Sequence, residues 1–210
     1  DVTASNSALG VGLGAIANGN GSIAIGLNVT ASGSSSISIG KTNTANGSNA
    51  VAIGVSNSVS GSSAFVIGMG NTGISTQAVV MGKSNTNITK STVIGSSNNA
   101  INRFSEIIGF SNHTVDLNVK ILGSSNNNIT KASKVLGFGN TVIRGSTIFG
   151  NNNTQHRNVN VYGSFNTGLG HSSGADGSGG YIFGSGNSVV RGGNIYGTNN
   201  TTVRGGDIYG

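Results

Sequence analysis

Hydrophobic positions recur along the chain in short clusters closed by glycine. SIAIG, from Ser22 to Gly26, returns as SISIG at Ser36 to Gly40, AVAIG at Ala50 to Gly54 and AFVIG at Ala64 to Gly68. These closing glycines stand 14 residues apart. Taken as anchors from Gly12 to Gly210, they are spaced by 14 over most of the chain and by 13 near its end, with one interval of 21 between Gly163 and Gly184. Self-similarity at a fixed period marks a repeat architecture. In the first block, apolar residues lie one and three before the anchor (Leu9/Val11, Ile23/Ile25, Ile37/Ile39, Val51/Ile53, Phe65/Ile67). The residue between is small: Gly10, Ala24, Ser38, Ala52, then Val66. Such alternation is the mark of a strand with one well-buried face. A second, weaker column lies five after the anchor (Ala17, Ala31, Ala45, Val59), so each repeat offers two short strands joined by Gly/Ser/Asn turns.

From about Gly68 the pattern changes. The residue two before the anchor becomes large, as in Val80, Ile107, Ile121 and Ile148, and the residue one before grows from Leu122 and Leu136 to Phe149, Tyr162, Phe183, Tyr196 and Tyr209. Neighbouring apolar positions point to opposite faces, so this strand is expected to be covered on both sides. The second column moves to six after the anchor, at Ile74, Ile88, Ile101, Val115, Ile129 and Ile143. The chain therefore reads as one continuous solenoid in two sub-blocks, 1–70 and 71–210.

Composition supports a ladder-rich fold. The 210 residues include 37 glycines, no proline and no cysteine, so few backbone donors are sacrificed and no disulfide staples the fold. The net charge of +6, from 11 basic and 5 acidic residues, is sparse and not interleaved with aromatics as in single-strand nucleic-acid binders. No signal peptide or apolar run of membrane length is present, and the chain is read as cut from a longer protein.

Asparagine stands three after the anchor in successive repeats: Asn43, Asn57, Asn71, Asn85, Asn98, Asn112, Asn126, Asn140, Asn153, Asn166, Asn187 and Asn200. Asparagine suits a turn because it accepts left-handed backbone geometry, and stacked amides can hydrogen-bond from rung to rung. A structural ladder is the reading preferred over a ligand-binding stripe. Stacked at strand spacing, some fourteen turns would make a rod about 65 Å long. Each thin rung encloses only three or four small or aliphatic side chains, worth about 1.5–3 kcal/mol apiece, against about 1–2 kcal/mol of backbone entropy per residue. The two-faced strands need a partner, and further copies of the chain carry the same stripe.

The repeats SIAIG-LNVTASGS, SISIG-KTNTANGS and AVAIG-VSNSVSGS resemble the head repeats of trimeric autotransporter adhesins, the YadA-like family, strongly over 8–68 and more weakly to Gly210. The resemblance implies an all-β, left-handed parallel β-roll of about 14 turns assembled as a homotrimer. It implies display at the bacterial outer-membrane surface through an anchor outside this sequence, and attachment to host cells through CEACAM-type receptors or extracellular matrix proteins. The alternatives are a structural spacer or fibre segment whose binding lies elsewhere, or a glycan-binding fibre head.

Chemistry is sparse. Glycosidase chemistry needs two carboxylates about 5–10 Å apart, whereas Glu106 and Asp207 lie seven rungs apart, roughly 34 Å. His113, His156 and His171 occupy three different positions relative to their anchors, and no metal-ligand spacing appears. No enzyme, no cofactor and no metal is expected. The 21-residue interval carries an insertion over 167–180 whose Thr167, Leu169, His171, Ser172 and Asp176 are receptor-contact candidates, since loops inserted in a repeat scaffold protrude and often bind. Asp176 between glycines is weak evidence for a calcium loop, and His171, Ser172 and Asp176 lack the fixed geometry of a triad. A basic stripe, Lys90, Arg103, Lys131, Arg144, Arg157, Arg191 and Arg204, falls at one corner, either as a solvated edge or as a rail for sialylated or sulfated glycans. No nucleic-acid partner is expected. An ice-binding solenoid would need a flat threonine array, and a hexapeptide acyltransferase would need turns near eighteen residues; neither pattern is present.

Overall fold

The structure, a computed structural model, describes residues 1–4, 7–168, 180–191, 194–204 and 206–210. It is an all-β parallel solenoid of about 13 turns, with no helix among the described residues. The chain divides into two compact units, Asp1–Phe104 and Ser105–Gly210.

In the first unit each turn up to Gly68 contributes one long and one short strand. The long strands are Ile23–Leu27, Ile37–Lys41, Val51–Val55 and Phe65–Met69. The short ones are Thr30–Ala31, Thr44–Ala45 and Ser58–Val59. Every pairing is parallel and in register with the repeat, so Ile37 faces Val51 and Gly40 faces Gly54. The buried face of the long strand is that of the small residues. Ala24, Ser38, Ala52 and Val66 are fully enclosed, while Ile23, Ile25, Ile37, Ile39, Val51 and Ile53 are only half-buried. With two sheets wound this tightly, only side chains up to the size of valine are enclosed between them, and the larger aliphatics of the long strands are turned outward.

The anchor glycine is set by close approach. Gly54 has φ +121°, and a Cβ there would overlap the Gly68 carbonyl of the next rung. The left-handed residue of the following turn is the one before the asparagine: Thr42 (φ 56°), Ser56 (φ 55°) and Ser84 (φ 55°). The asparagine itself is therefore not in the column because it tolerates left-handed geometry, as turn chemistry alone had led us to expect. Its side chain points inward.

The displacement of the second apolar column from five to six after the anchor is a one-residue insertion. Val59 pairs with Ile74, and the extra residue, Gly73, has φ +65°. Asn87 (φ 54°) and Ala100 (φ 55°) repeat it, as do Thr114 (φ 50°), Asn128 (φ 55°), Val142 (φ 55°) and Gln155 (φ 62°) in the second unit. A left-handed bulge residue restores the next side chain to the interior.

The second unit opens with the five-residue strand Glu106–Phe110, and from Lys120 onward the proportions reverse. Lys120–Leu122, Lys134–Leu136, Thr147–Phe149 and Asn160–Tyr162 are three residues long. The opposing strands, His113–Asp116, Asn127–Thr130, Thr141–Arg144 and Thr154–Arg157, are four. Ile107, Ile121, Val135, Ile148 and Val161 fill the interior from one sheet, and Val115, Ile129, Ile143 and His156 from the other.

Candidate functional site

The asparagine column runs inside the wall of each unit. In the first, Asn57 donates from its backbone N–H (2.9 Å) and from Nδ2 (3.1 Å) to Asn43 Oδ1, and Nδ2 also reaches the Gly68 carbonyl at 2.8 Å. In the second, Asn140 donates to Asn126 Oδ1 at 3.1 and 3.0 Å and to the Gly150 carbonyl at 2.9 Å. The Oδ1 of Asn57 and of Asn140 each accepts two bonds from the next rung, and each NH₂ donates both to the preceding asparagine and to a glycine carbonyl. Fully enclosed asparagines keep no polar atom for a ligand, so the column fastens rungs together.

The outward surface has two distinct faces in the second unit. On the three-residue strands, the residue one before the anchor forms an apolar column. Phe149, Tyr162, Phe183, Tyr196 and Tyr209 stack in succession, with centroids 4.8–5.3 Å apart and planes within 6°. The first four remain 39–44% exposed. Their faces are turned to each other along the solenoid, so the surface offers ring edges. Polar residues flank the column. Asn160 Oδ1 accepts from the Thr147 N–H at 3.3 Å, Asn194 Oδ1 from the Tyr181 N–H at 3.0 Å, and Asp207 Oδ1 from both the backbone N–H and Nδ2 of Asn194. Glu106 pairs with Lys120 at 2.9 Å across one rung, an exposed pair of small energetic weight. A hollow of about 140 Å³ opens beside Leu136 and Phe149, rimmed by Lys120 and Lys134.

On the other sheet lie the arginines. Arg144 and Arg157 are direct cross-strand partners, as are Arg191 and Arg204. Lys131 is exposed in a left-handed position (φ 57°) next to Thr130, the partner of Arg144. In the first unit Lys90 lies 6.0 Å over the Phe104 ring, and Arg103 is exposed on the same turn.

Of the insertion candidates, Thr167 bridges Thr154 and Ser188 and so holds its rung in register. Leu169, His171, Ser172 and Asp176 lie outside the described residues. Among the described residues no group of three or more His, Cys, Asp or Glu is placed to hold a metal ion.

Residue His156 was not singled out from sequence. It occupies the interior position held one rung earlier by Ile143, its partner in the register, and is 1% exposed. Nε2 lies 3.2 Å from the Asn166 carbonyl, and Nδ1 has no partner. A carbonyl only accepts, so Nε2 carries the proton and Nδ1 is a bare buried lone pair. Burial pulls the imidazole pKa down to about 4, with the Asn166 carbonyl opposing the shift. The signal was available: His156 falls six after Gly150, in the core column.

Protein-family models and curated proteins were both compared with the chain, and none matches. No helix among the described residues is long and apolar enough to cross a membrane.

Proposed function

We propose that this chain is part of a surface-displayed adhesin head of the trimeric autotransporter kind. Three copies of a left-handed β-roll pack through the outward apolar face and present their remaining surface to host receptors of the CEACAM type or to extracellular matrix proteins. The observation that carries this reading is the half-exposed aliphatic face of the first unit. Ile23, Ile25, Ile37, Ile39, Val51 and Ile53 face outward from a rung whose interior is already full. An apolar face that continues from rung to rung marks an association surface, and every copy carries it in the same place. Attachment rather than catalysis is the role proposed.

Light scattering of the purified chain tests the assembly. Three chain masses are expected, and the combined variant Ile25→Ser, Ile39→Ser, Ile53→Ser is expected to run as a single chain. A wild-type protein that is monomeric at all concentrations removes the proposal. Binding of the intact trimer to host-cell surface proteins tests the rest. A trimer that captures none would be a spacer segment.

A further inference from the structure

We infer that the arginine column of the second unit binds a linear sulfated polysaccharide. Arg144 lies directly opposite Arg157, and Arg191 opposite Arg204. Thr154 and Ser188 are joined through Thr167, which places a single rung between the two arginine pairs. The column therefore spans four rung steps, about 19 Å at strand spacing.

Like charges on directly opposed strand positions repel, and among the described residues no ion pair to a carboxylate is formed by Arg144 or Arg157. Glu106 is engaged with Lys120, and Asp207 with Asn194. Asp116 shares the register but sits two rungs before Arg144, with Thr130 between. The complement must come from outside and must be anionic. Arginine positions recurring along the strand register match a ligand whose charges recur along its own length. A glycan ending in a single sialic acid would meet one arginine and leave the others unmatched. Sulfate oxygens also suit the guanidinium fork, which donates two parallel bonds to an oxyanion.

The surroundings favour sugar over nucleic acid. Strands Asn127–Thr130, Thr141–Arg144 and Thr154–Arg157 contain no Phe, Tyr or Trp, so bases would find no stacking platform. Thr141, Thr154 and the exposed Gln155 offer hydroxyls and an amide to sugar hydroxyls instead. The site needs one chain only, so it stands apart from the assembly proposed above.

The test is binding of the whole chain to heparin and to desulfated heparin at two ionic strengths. Heparin binding should weaken steeply with salt, and the desulfated polymer should not bind. The double variant Arg144→Ser, Arg157→Ser should bind heparin about tenfold more weakly with a shallower salt dependence, because fewer counterions are released. Lys41→Ser, Lys83→Ser, with the same change in net charge but in the first unit, should bind as wild type. Equal binding by wild type and the arginine variant, or an equal loss in the lysine variant, would overturn the assignment. So would displacement of heparin by single-stranded DNA of equal charge at equal concentration. Unchanged strand content by circular dichroism establishes that each variant is folded.

Discussion

The rungs up to Gly68 and those of the second unit solve the same packing problem in opposite ways. In the early rungs the enclosed residues are small, Ala17, Ala24, Ala31, Ser38 and Ala52 with valines at Val29, Val59 and Val66, and the isoleucines lie outside. In the second unit the enclosed residues are Ile107, Ile121, Ile129, Ile143 and Ile148, while the outer face narrows to a single apolar column with polar neighbours. Strand length follows: five residues against two in the early rungs, three against four in the rungs from Lys120 to Tyr162. A fully buried Ile contributes about 1.5–3 kcal/mol, whereas an alanine methyl contributes about 0.8. The early rungs thus hold little of their apolar surface inside themselves and depend on whatever covers their outer face. The second unit carries more of its stability internally.

Core truncation gives the largest expected difference. Ile129→Ala removes a fully enclosed side chain between Val115 and Ile143 and should cost about 4 kcal/mol. Ala31→Gly, at the equivalent place in an early rung, should cost about 1 kcal/mol. Urea unfolding of the two variants measures both, and equal losses would break the distinction. The asparagine column should show the opposite behaviour, because its bonding is the same in both units. Asn57→Ala and Asn140→Ala each orphan a next-rung backbone N–H and a glycine carbonyl, Gly68 in one case and Gly150 in the other. Each should cost about 3 kcal/mol. A cost confined to one unit would mean that the column fastens only that unit.

How far the chain could be read in advance depended on whether a residue's role is fixed by its rung or by its neighbours. Period and strand positions were legible because each glycine recurs where only a hydrogen fits. Gly54, against the carbonyl of Gly68, is the plainest case. Which side of the strand faces inward was harder to read. Alternation of Ile25 with Ala24 looks the same whichever is buried, and the decision comes from the narrow gap between the sheets. The shift from Val59 to Ile74 was visible as a change of column, but its cause, a left-handed residue inserted at Gly73, is a backbone fact. The inward direction of the asparagines was not legible from turn propensity, since the left-handed geometry lies one residue earlier. At the surface, the sequence showed the arginines recurring but not that Arg144 and Arg157 are direct partners while Lys131 sits beside the register.

The smallest effect sharpens the comparison at His156, where a polar ring interrupts the aliphatic column of the second unit. His156 is enclosed as a neutral imidazole, with its pKa lowered from 6.5 to about 4 chiefly by burial. The unfolded chain takes up a proton at this residue at higher pH than the folded one does. The stability that depends on a neutral His156 is therefore complete above pH 6.5 and is lost as the pH falls through about 4, where the folded state begins to titrate as well. The loss should be at most about 3 kcal/mol across that window. His156→Ile restores the aliphatic column of Ile143, removes the bare Nδ1 and should flatten the profile. The difference between the melting temperatures of wild type and variant, followed from pH 7 to pH 4, isolates this residue from His113 and the carboxylates. A constant difference over that range would mean that the imidazole is hydrated in the folded protein, and that the second unit's interior is more open than its isoleucines imply.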